Sequence, residues 1–277
     1  MDKLNADGLP AVTELELERR GDTLVIWFNR PETRNALSAA VAEELWRVFE
    51  ALPAAQQYRF VVLRGRGGVF CAGGDLKQFR EVFQGGAERA AIVDANAAFG
   101  QIMAAIDALP QLFVVAIEGA AMAGGLGIAC LADLVLATAD ARFALTEVSL
   151  GIPPAQITPV VIERVGLAEA RRLLLTAQRF DGTEAARLGF VNEVLADAEA
   201  LDARLASLRD EARRCAPGAV ALTKQIIRES RAGGDRQALV QFAAERFADA
   251  MLGDEAREGM RAFADKRAPA WAGGEES

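Results

Sequence analysis

Two glycine-rich segments each follow a short apolar run, and backbone chemistry could be done there. The first spans 65–75 (GRGGVFCAGGD) after the run 59–63, and the second spans 119–127 (GAAMAGGLG) after the run 111–117. Neither contains GK[ST] or the pattern GxGxxG, so the sequence does not support nucleotide phosphate binding of those kinds. Glycines also serve tight turns and close packing, which is the alternative interpretation of both segments.

The position of the two segments favours a functional interpretation. Ligands of α/β sheets usually bind at the carboxyl ends of strands, where both segments are expected to lie. The second also opens a predicted helix, whose free N–H groups favour negative charge. Two converging amides would form an oxyanion hole, which stabilises a substrate carbonyl as it becomes an enolate.

The composition restricts which side chains could assist. The 277 residues include 31 basic and 39 acidic residues and no histidine, which excludes Ser-His-Asp triads, Cys-His pairs and HExxH zinc sites. Proton transfer must then use carboxylates, tyrosine, cysteine, lysine or backbone amides. The three cysteines (Cys71, Cys130 and Cys215) contain no CxxC pattern, which argues against a disulfide scaffold or a metal site and fits a reducing cytoplasm.

The charge and the apolar pattern restrict the partners. A net charge of −8 argues against nucleic-acid binding, because a phosphate backbone would be repelled. No window has the roughly 18–20 apolar residues of a membrane span, and the first residues lack the features of a secretory signal. We therefore expect a soluble cytoplasmic protein without membrane or nucleic-acid partners.

The elements that position the glycine segments follow an α/β pattern. A helix is predicted after Ser38, with Val41, Leu45, Val48 and Leu52 on one face, and another over 89–108. From about residue 199 three helices are predicted, over 199–214, 217–230 and 235–264, and such an appendage either covers a partner subunit or caps its own chain. Strands are predicted over 13–20, 23–29, 59–63, 111–117 and 133–137.

Five stretches, in order and at family-like spacing, resemble the crotonase, or enoyl-CoA hydratase/isomerase, family over nearly the whole chain. The resemblance implies a ββα spiral core with an acyl-CoA site over 1–198 and a C-terminal helical trimerisation region over 199–277. It also implies a homotrimer or a dimer of trimers, an acyl-CoA substrate, no metal, and no cofactor beyond the coenzyme A of the substrate. The stretches are 29–38 (NRPETRNALS), 70–77 (FCAGGDLK), 118–127 (EGAAMAGGLG), 143–153 (FALTEVSLGIP) and 259–271 (GMRAFADKRAPAW).

The same resemblance assigns the catalytic groups. It places the oxyanion hole at the N–H groups of Gly74 and Gly124, and it places two glutamates at the positions of Gly127 and Glu147. The second glutamate is present and the first is missing. Without the family, Glu147 would be interpreted as a surface or ion-paired residue; within it, burial is expected to raise its pKa toward the working pH of an acid–base.

Neighbouring residues have weaker assignments. Cys71 is expected to pack in the core rather than react, Asp75 to cap or brace its loop, and Glu118 is a poor substitute for the missing glutamate. Arg34, Arg64 and Arg66 add positive charge near the first motifs, although solvated surface charge is the alternative. The resemblance places coenzyme A near Arg30, Ala72, Asp75 and Lys77, with Phe263 and Lys266 reaching the coenzyme A of an adjacent subunit.

The missing glutamate decides which reaction is expected. A glycine there is similar to the dihydroxynaphthoyl-CoA synthase branch, where bicarbonate can replace the side chain, and to hydratases of branched glutaconyl-CoA thioesters. The stretch 146–157 (TEVSLGIPPAQI) fits the second group best. The resemblance thus implies a hydratase (lyase) acting on 3-methylglutaconyl-CoA or isohexenylglutaconyl-CoA. The alternatives are a Δ3,Δ2-enoyl-CoA isomerase that uses Glu147 alone and a non-catalytic acyl-CoA-binding member.

Overall fold

A computed structural model describes residues 7–86 and 88–273, apart from the side chains of residues 81–84. Within these residues the strands form a six-stranded and a three-stranded sheet. The strands are β1 (Leu15–Arg20), β2 (Thr23–Phe28), β3 (Phe60–Gly65), β4 (Leu112–Ile117), β5 (Ala120–Met122), β6 (Leu134–Thr138), β7 (Arg142–Ala144), β8 (Phe180–Asp181) and β9 (Glu193–Leu195).

Helices surround the sheets, and the last four follow one another along the chain. Across the described ranges, none is long and apolar enough to cross a membrane. The helices are α1 (Ala39–Ala51), α2 (Leu76–Gln84), α3 (Arg89–Asp107), α4 (Gly124–Cys130), α5 (Thr158–Thr176), α6 (Gly182–Leu188), α7 (Ala198–Arg213), α8 (Pro217–Arg231), α9 (Arg236–Leu252) and α10 (Asp254–Ala264).

The large sheet has the order β1-β2-β3-β4-β6-β9. Strands β1 and β2 are antiparallel and are joined at Gly21, whose φ of 62° suits a tight turn, whereas the later neighbours are parallel. Residue Val62 of β3 pairs with Val25 of β2 and with Val114 of β4. Because parallel strands end at one edge, the turns that follow β3 and β4 emerge side by side.

Both faces of this sheet are covered, as the nearly all-apolar strands predict. Ile26 packs on one face in the same buried cluster as Leu45 of α1. Val25 points to the other face and shares a second cluster with Leu208 of α7. Helix α1 begins where the sequence predicts, because the Ser38 side chain accepts a hydrogen bond from the Val41 N–H at 3.2 Å.

The C-terminal helices attach to this body through polar contacts, most of them partly buried. Lys224 of α8 donates to the Asp133 carboxylate at 2.6 Å and to the Gln111 carbonyl at 2.7 Å. Arg59 donates to the carbonyls of Cys215 and Trp271, at 2.7 and 2.6 Å. Nevertheless, neither α8 nor α9 contains a buried residue in the isolated chain.

The sequence predicted a single helix over 235–264, and this prediction is wrong. Helix α9 ends at Leu252 and α10 begins at Asp254, because Gly253 adopts an extended conformation with φ of −77° and ψ of 167°. The first turn of α10 then carries Asp254 and Glu255, whose charge favours a helix N-terminus. The break divides the final segment into two helices.

Candidate active site

The two glycine turns are in direct contact. Cys71 donates its N–H to the Ala120 carbonyl at 2.9 Å and accepts from the Met122 N–H at 2.9 Å, so the first turn pairs with β5. Gly73 has a φ of 91°, and a Cβ placed on it would lie 3.0 Å from the Ala123 Cβ. Backbone pairing and glycine packing therefore hold the segments 71–74 and 120–124 together.

Gly74 presents a backbone N–H that the fold leaves free. In the bridge between Leu37 and Gly74, the Leu37 N–H donates to the Gly73 carbonyl, and the Asp75 N–H donates to the Leu37 carbonyl. This parallel pattern uses the residues on either side of Gly74 and directs the Gly74 N–H away from Leu37. No residue in the described ranges accepts a hydrogen bond from it.

Gly124 presents a second free N–H. It is the first residue of α4, so it has no acceptor within the helix, and no other described residue supplies one. The preceding Ala123 has φ of 50° and ψ of −124°, an unusual conformation for a residue with a side chain. Its N–H donates to the Ala144 carbonyl at 2.8 Å, which fixes the strained peptide against β7. Such strain is typical of functional turns.

Apolar side chains lie against the Cα atoms of both glycines. A Cβ on Gly74 would lie 2.3 Å from Cε2 of Phe79, and a Cβ on Gly124 would lie 3.1 Å from Cδ1 of Leu37 and 3.4 Å from Cζ of Phe99. These rings and the leucine lower the local polarity, which strengthens an N–H bond to a developing negative charge.

Glu147 lies just beyond β7, three residues after the Ala144 that binds Ala123. It begins a 3₁₀ turn (Glu147–Leu150) and is partly buried. Its Oε2 atom is inaccessible to solvent and has no hydrogen-bond partner among the described residues. Burial raises the pKa of this carboxyl above its ordinary value, and a hydrogen bond from its own backbone N–H partly offsets the rise. The expected upward direction of the pKa is confirmed.

The position of the missing glutamate is filled from another element. Gly127 lies one turn after Gly124 in α4, and a Cβ placed on it would lie 2.2 Å from Cγ2 and 2.7 Å from Cβ of Ile157. Ile157 is 3% exposed and immediately precedes α5. A side chain at residue 127 therefore has no room unless Ile157 moves, and apolar atoms occupy the space beside it.

Cys71, Asp75 and Glu118 all have structural contacts. Cys71 is fully buried, and burial raises its thiol pKa to about 12, so it packs in the core as expected. Asp75 accepts from the N–H groups of Lys77 and Gln78 at 3.0 and 3.2 Å, which caps α2. Glu118 accepts from Arg64 at 2.8 Å and so is engaged away from Gly127.

Two of the arginines near the first motifs are held by other side chains. Arg64 is buried and also pairs with Asp202, and its guanidinium lies 4.7 Å from the centre of the Trp27 ring. Arg66 stacks 3.7 Å from the same ring and pairs with Glu16 at 2.5 Å. Carboxylates and the Trp27 ring therefore engage both guanidinium groups, and neither presents a free cation to a ligand.

The residues expected near coenzyme A fall into two groups. Around the first turn, Arg30 pairs with Glu14 at 2.9 Å, Ala72 donates its N–H to the Arg34 carbonyl at 3.0 Å, and Lys77 is exposed in the first turn of α2. Phe263 and Lys266 lie at the end of α10, where Phe263 is 87% exposed. Within the described residues, no hydrogen bond or ion pair links this end of α10 to the glycine turns.

Sequence reasoning did not identify the side chains that enclose the amides. Leu37 and Ile157 stand in stretches that the sequence highlights, but only three-dimensional packing shows that they meet Gly124 and Gly127. Phe79 and Phe99 belong to helices whose faces toward the site the sequence could not assign. No short-range signal pointed to any of these four residues.

Comparison with known proteins identifies the family. The family model described as enoyl-CoA hydratase/isomerase matches residues 18–274. Enoyl-CoA hydratase AFT6-1 of Alternaria alternata is 34% identical over 250 residues, covering 90% of this chain and 80% of that protein. The 2,3-dehydroadipyl-CoA hydratase of Escherichia coli K12 is 30% identical over 265 residues, covering 95% and 100%.

A solved structure, that of AtuE from Pseudomonas aeruginosa, superimposes with a TM-score of 0.90. It is 48% identical in sequence, and the match covers 94% of this chain and 100% of that chain. The expected crotonase-like α/β fold with a C-terminal helical region is therefore confirmed. The chain belongs to the enoyl-CoA hydratase/isomerase family.

Proposed function

We propose that this enzyme is a hydratase that adds water to a 2-enoyl-CoA thioester, with Gly74, Gly124 and Glu147 as its catalytic groups. One observation carries the proposal. The free N–H groups of Gly74 and Gly124 lie in turns that contact each other, and the hydrogen bond from Ala123 to Ala144 ties these turns to the segment that contains Glu147, whose Oε2 is buried and has no partner among the described residues. The hydratase names of the relatives support the reaction type.

In the proposed reaction the two amides bind the thioester oxygen. The N–H groups of Gly74 and Gly124 donate to it, and their hydrogen bonds strengthen as electron density moves from the double bond onto this oxygen. Because both donors belong to fixed backbone turns, they need no reorganisation when the enolate forms. The apolar contacts of Leu37 and Phe99 beside Gly124 keep the pair in a weakly polar environment.

Glu147 moves the proton in two steps. Its carboxylate takes a proton from a water while the water oxygen bonds to C3 and the double-bond electrons form the enolate. The protonated Glu147 then gives that proton to C2 and the thioester carbonyl is restored. The net change is addition of OH to C3 and H to C2. A raised pKa suits this cycle because the protonated form is more accessible than in an ordinary glutamate. These steps use coenzyme A only as part of the substrate.

We propose a branched glutaconyl-CoA as the substrate, either 3-methylglutaconyl-CoA or isohexenylglutaconyl-CoA. The contact between Gly127 and Ile157 supports the glutaconyl-CoA branch of the family. The stretch 146–157, which resembles that branch, contributes both Glu147 and the isoleucine that fills the space of the missing glutamate. One relative is named for 2,3-dehydroadipyl-CoA, a thioester that also bears a second carboxylate.

Exposed apolar surface supports assembly into trimers or dimers of trimers. Ile227, Val240, Phe247, Leu252 and Phe263 of the C-terminal helices are each more than half exposed in the isolated chain. In such an assembly we propose that Phe263 and Lys266 approach the coenzyme A of a neighbour. Sedimentation equilibrium tests the assembly, which a monomer at micromolar concentration would refute.

The first turn supplies the remaining residues proposed for coenzyme A. We propose that Arg30, Ala72 and Lys77 line its binding site, with Asp75 holding the start of α2 in place. Replacing Lys77 with alanine should raise KM more than it lowers kcat. The three free cysteines support a reducing compartment, and we propose the cytoplasm.

A panel of thioesters tests the reaction. The purified protein is incubated with crotonyl-CoA, a 3-enoyl-CoA and 3-methylglutaconyl-CoA, and the products are separated by chromatography. Hydration supports the proposal. The filled space at Gly127 also fits an isomerase in which Glu147 alone carries a proton from C2 to C4, and double-bond migration without hydration would establish that reaction instead. Binding of all three without turnover would identify a non-catalytic member.

A further inference from the structure

An amide pair lies at the surface next to Ile157. The Gln156 Nε2 donates to the Asn96 Oδ1 at 2.8 Å, which joins the segment before α5 to α3. A Cβ placed on Gly100 would lie 2.5 Å from the Gln156 Oε1, so the glutamine rests directly on the helix. Asn96 and Gly100 are four residues apart and share one face of α3.

That face of α3 also reaches the proposed oxyanion hole. Phe99, next to Gly100, approaches Gly124, while Ile157, next to Gln156, fills the space at Gly127. Gly124 and Gly127 are three residues apart in α4, about 4.5 Å along the axis. An acyl group held at the Gly124 amide and directed along α4 would run beside Phe99 and Ile157 toward the amide pair.

The pair has more donors than it uses. Its two amides carry four N–H bonds, and the one between them uses a single N–H, whichever way the amides are oriented. The bond lies at the exposed surface, so the other three N–H bonds face solvent and are open to a ligand. A carboxylate offers only acceptor sites, so it is the complementary group.

We propose that Asn96 and Gln156 bind the second carboxylate of the acyl chain and thereby set the preference for a glutaconyl thioester over a monocarboxylic one. This inference rests on the proposed function. In a glutaconyl chain the thioester carbonyl is the first carbon and the second carboxylate is the fifth. This spacing lets the carbonyl bind at Gly124 while the carboxylate reaches Asn96 and Gln156, beyond the next turn of α4. Both residues act on specificity, and neither takes part in proton transfer.

The test compares two substrates in charge-introducing variants of nearly unchanged shape. Gln156→Glu and Asn96→Asp each place a negative charge where the second carboxylate would bind. The measured quantity is the ratio of kcat/KM for 3-methylglutaconyl-CoA to that for crotonyl-CoA. We expect each variant to lower the ratio at least about tenfold, since a hydrogen bond to a charged group is lost and a repulsion is gained.

Gln101→Glu is the matched control. Gln101 follows Gly100 in α3 but lines an outer groove with Trp46 and Glu50, so its substitution should leave the ratio unchanged. Gln156→Leu, which removes donors without adding charge, should lower the ratio in the same direction.

Three outcomes would contradict the inference. If the wild type prefers 3-methylglutaconyl-CoA and the variants keep that preference, the pair does not bind the carboxylate, although the proposed function stands. If the variants lower both reactions equally, the pair is merely structural. If the wild type hydrates crotonyl-CoA but not 3-methylglutaconyl-CoA, the substrate class and the inference fail together, while the hydratase proposal survives.

Discussion

Replacing Gly127 with alanine isolates the contact that distinguishes this site. The new Cβ would lie 2.2 Å from Cγ2 and 2.7 Å from Cβ of Ile157. Carbon atoms in ordinary contact are about 3.5–4.0 Å apart, so the distance between the new Cβ and Cγ2 of Ile157 must increase by at least about 1.3 Å. A χ1 rotation moves Cγ2 but leaves the Ile157 Cβ in place. The backbone of residue 157 or of α4 must therefore shift.

Overpacking of this kind costs about 1–3 kcal/mol, or roughly 2–4 °C in thermal midpoint for each kcal/mol in a chain of this size. Ile157→Gly removes both clashing atoms. In that background Gly127→Ala should cost almost nothing, which predicts a coupling energy of about 1–3 kcal/mol between the two positions.

Urea unfolding at one fixed protein concentration measures all four proteins of this cycle. Gly234→Ala is the matched control, because no heavy atom lies within 4 Å of the Cβ position there. Its free energy of unfolding should change by no more than about 0.5 kcal/mol. If Gly127→Ala is as mild as this control, or if its cost is the same with and without Ile157, the filled-space interpretation is refuted.

Three further predictions concern stability and thiol reactivity. Glu147→Gln should raise the thermal midpoint at neutral pH. Burial raises the folded-state pKa of Glu147 above its ordinary 4.5, so the wild type loses stability as pH rises from 4.5 through the folded-state pKa. At pH values below 4.5 the carboxyl is protonated in both states, and the variant should no longer be more stable than the wild type. Iodoacetamide at about pH 8 should label exposed Cys215 but spare Cys71 until unfolding, as mass spectrometry of digests would show. Arg59→Met should cost roughly 1.5–3 kcal/mol and increase hydrogen exchange in α8, because its hydrogen bonds to two C-terminal carbonyls are lost; unchanged exchange would contradict this.

The long elements could be predicted because their burial repeats along the chain. The strand predicted over 59–63 overlaps β3, and the helix predicted over 217–230 matches α8 within one residue. The short strands β5 and β7 were missed. Each has three residues, too few to show an alternation, and each exists because it pairs with a distant partner.

The residues of the site were also predictable only in part. Family-like motifs predicted Gly74, Gly124 and Glu147, and the structure brings the two glycine turns into contact. The absence of a glutamate at Gly127 was also visible in the sequence. That Ile157 fills the gap was not visible, because the 29 intervening residues must fold before the two meet, and a Cβ contact leaves no periodic signal.

The proton-transfer role of Glu147 is the central claim, and the turnover of Glu147→Gln tests it most directly. The substitution keeps the shape of the side chain and removes its ability to accept and return a proton. Hydration of the best thioester in the panel is followed under saturating substrate, with binding measured separately by calorimetry. We predict a fall in kcat of at least about 100-fold, as loss of a general acid–base implies, with thioester affinity retained. A variant that still hydrates within a few-fold of the wild-type rate would contradict the account.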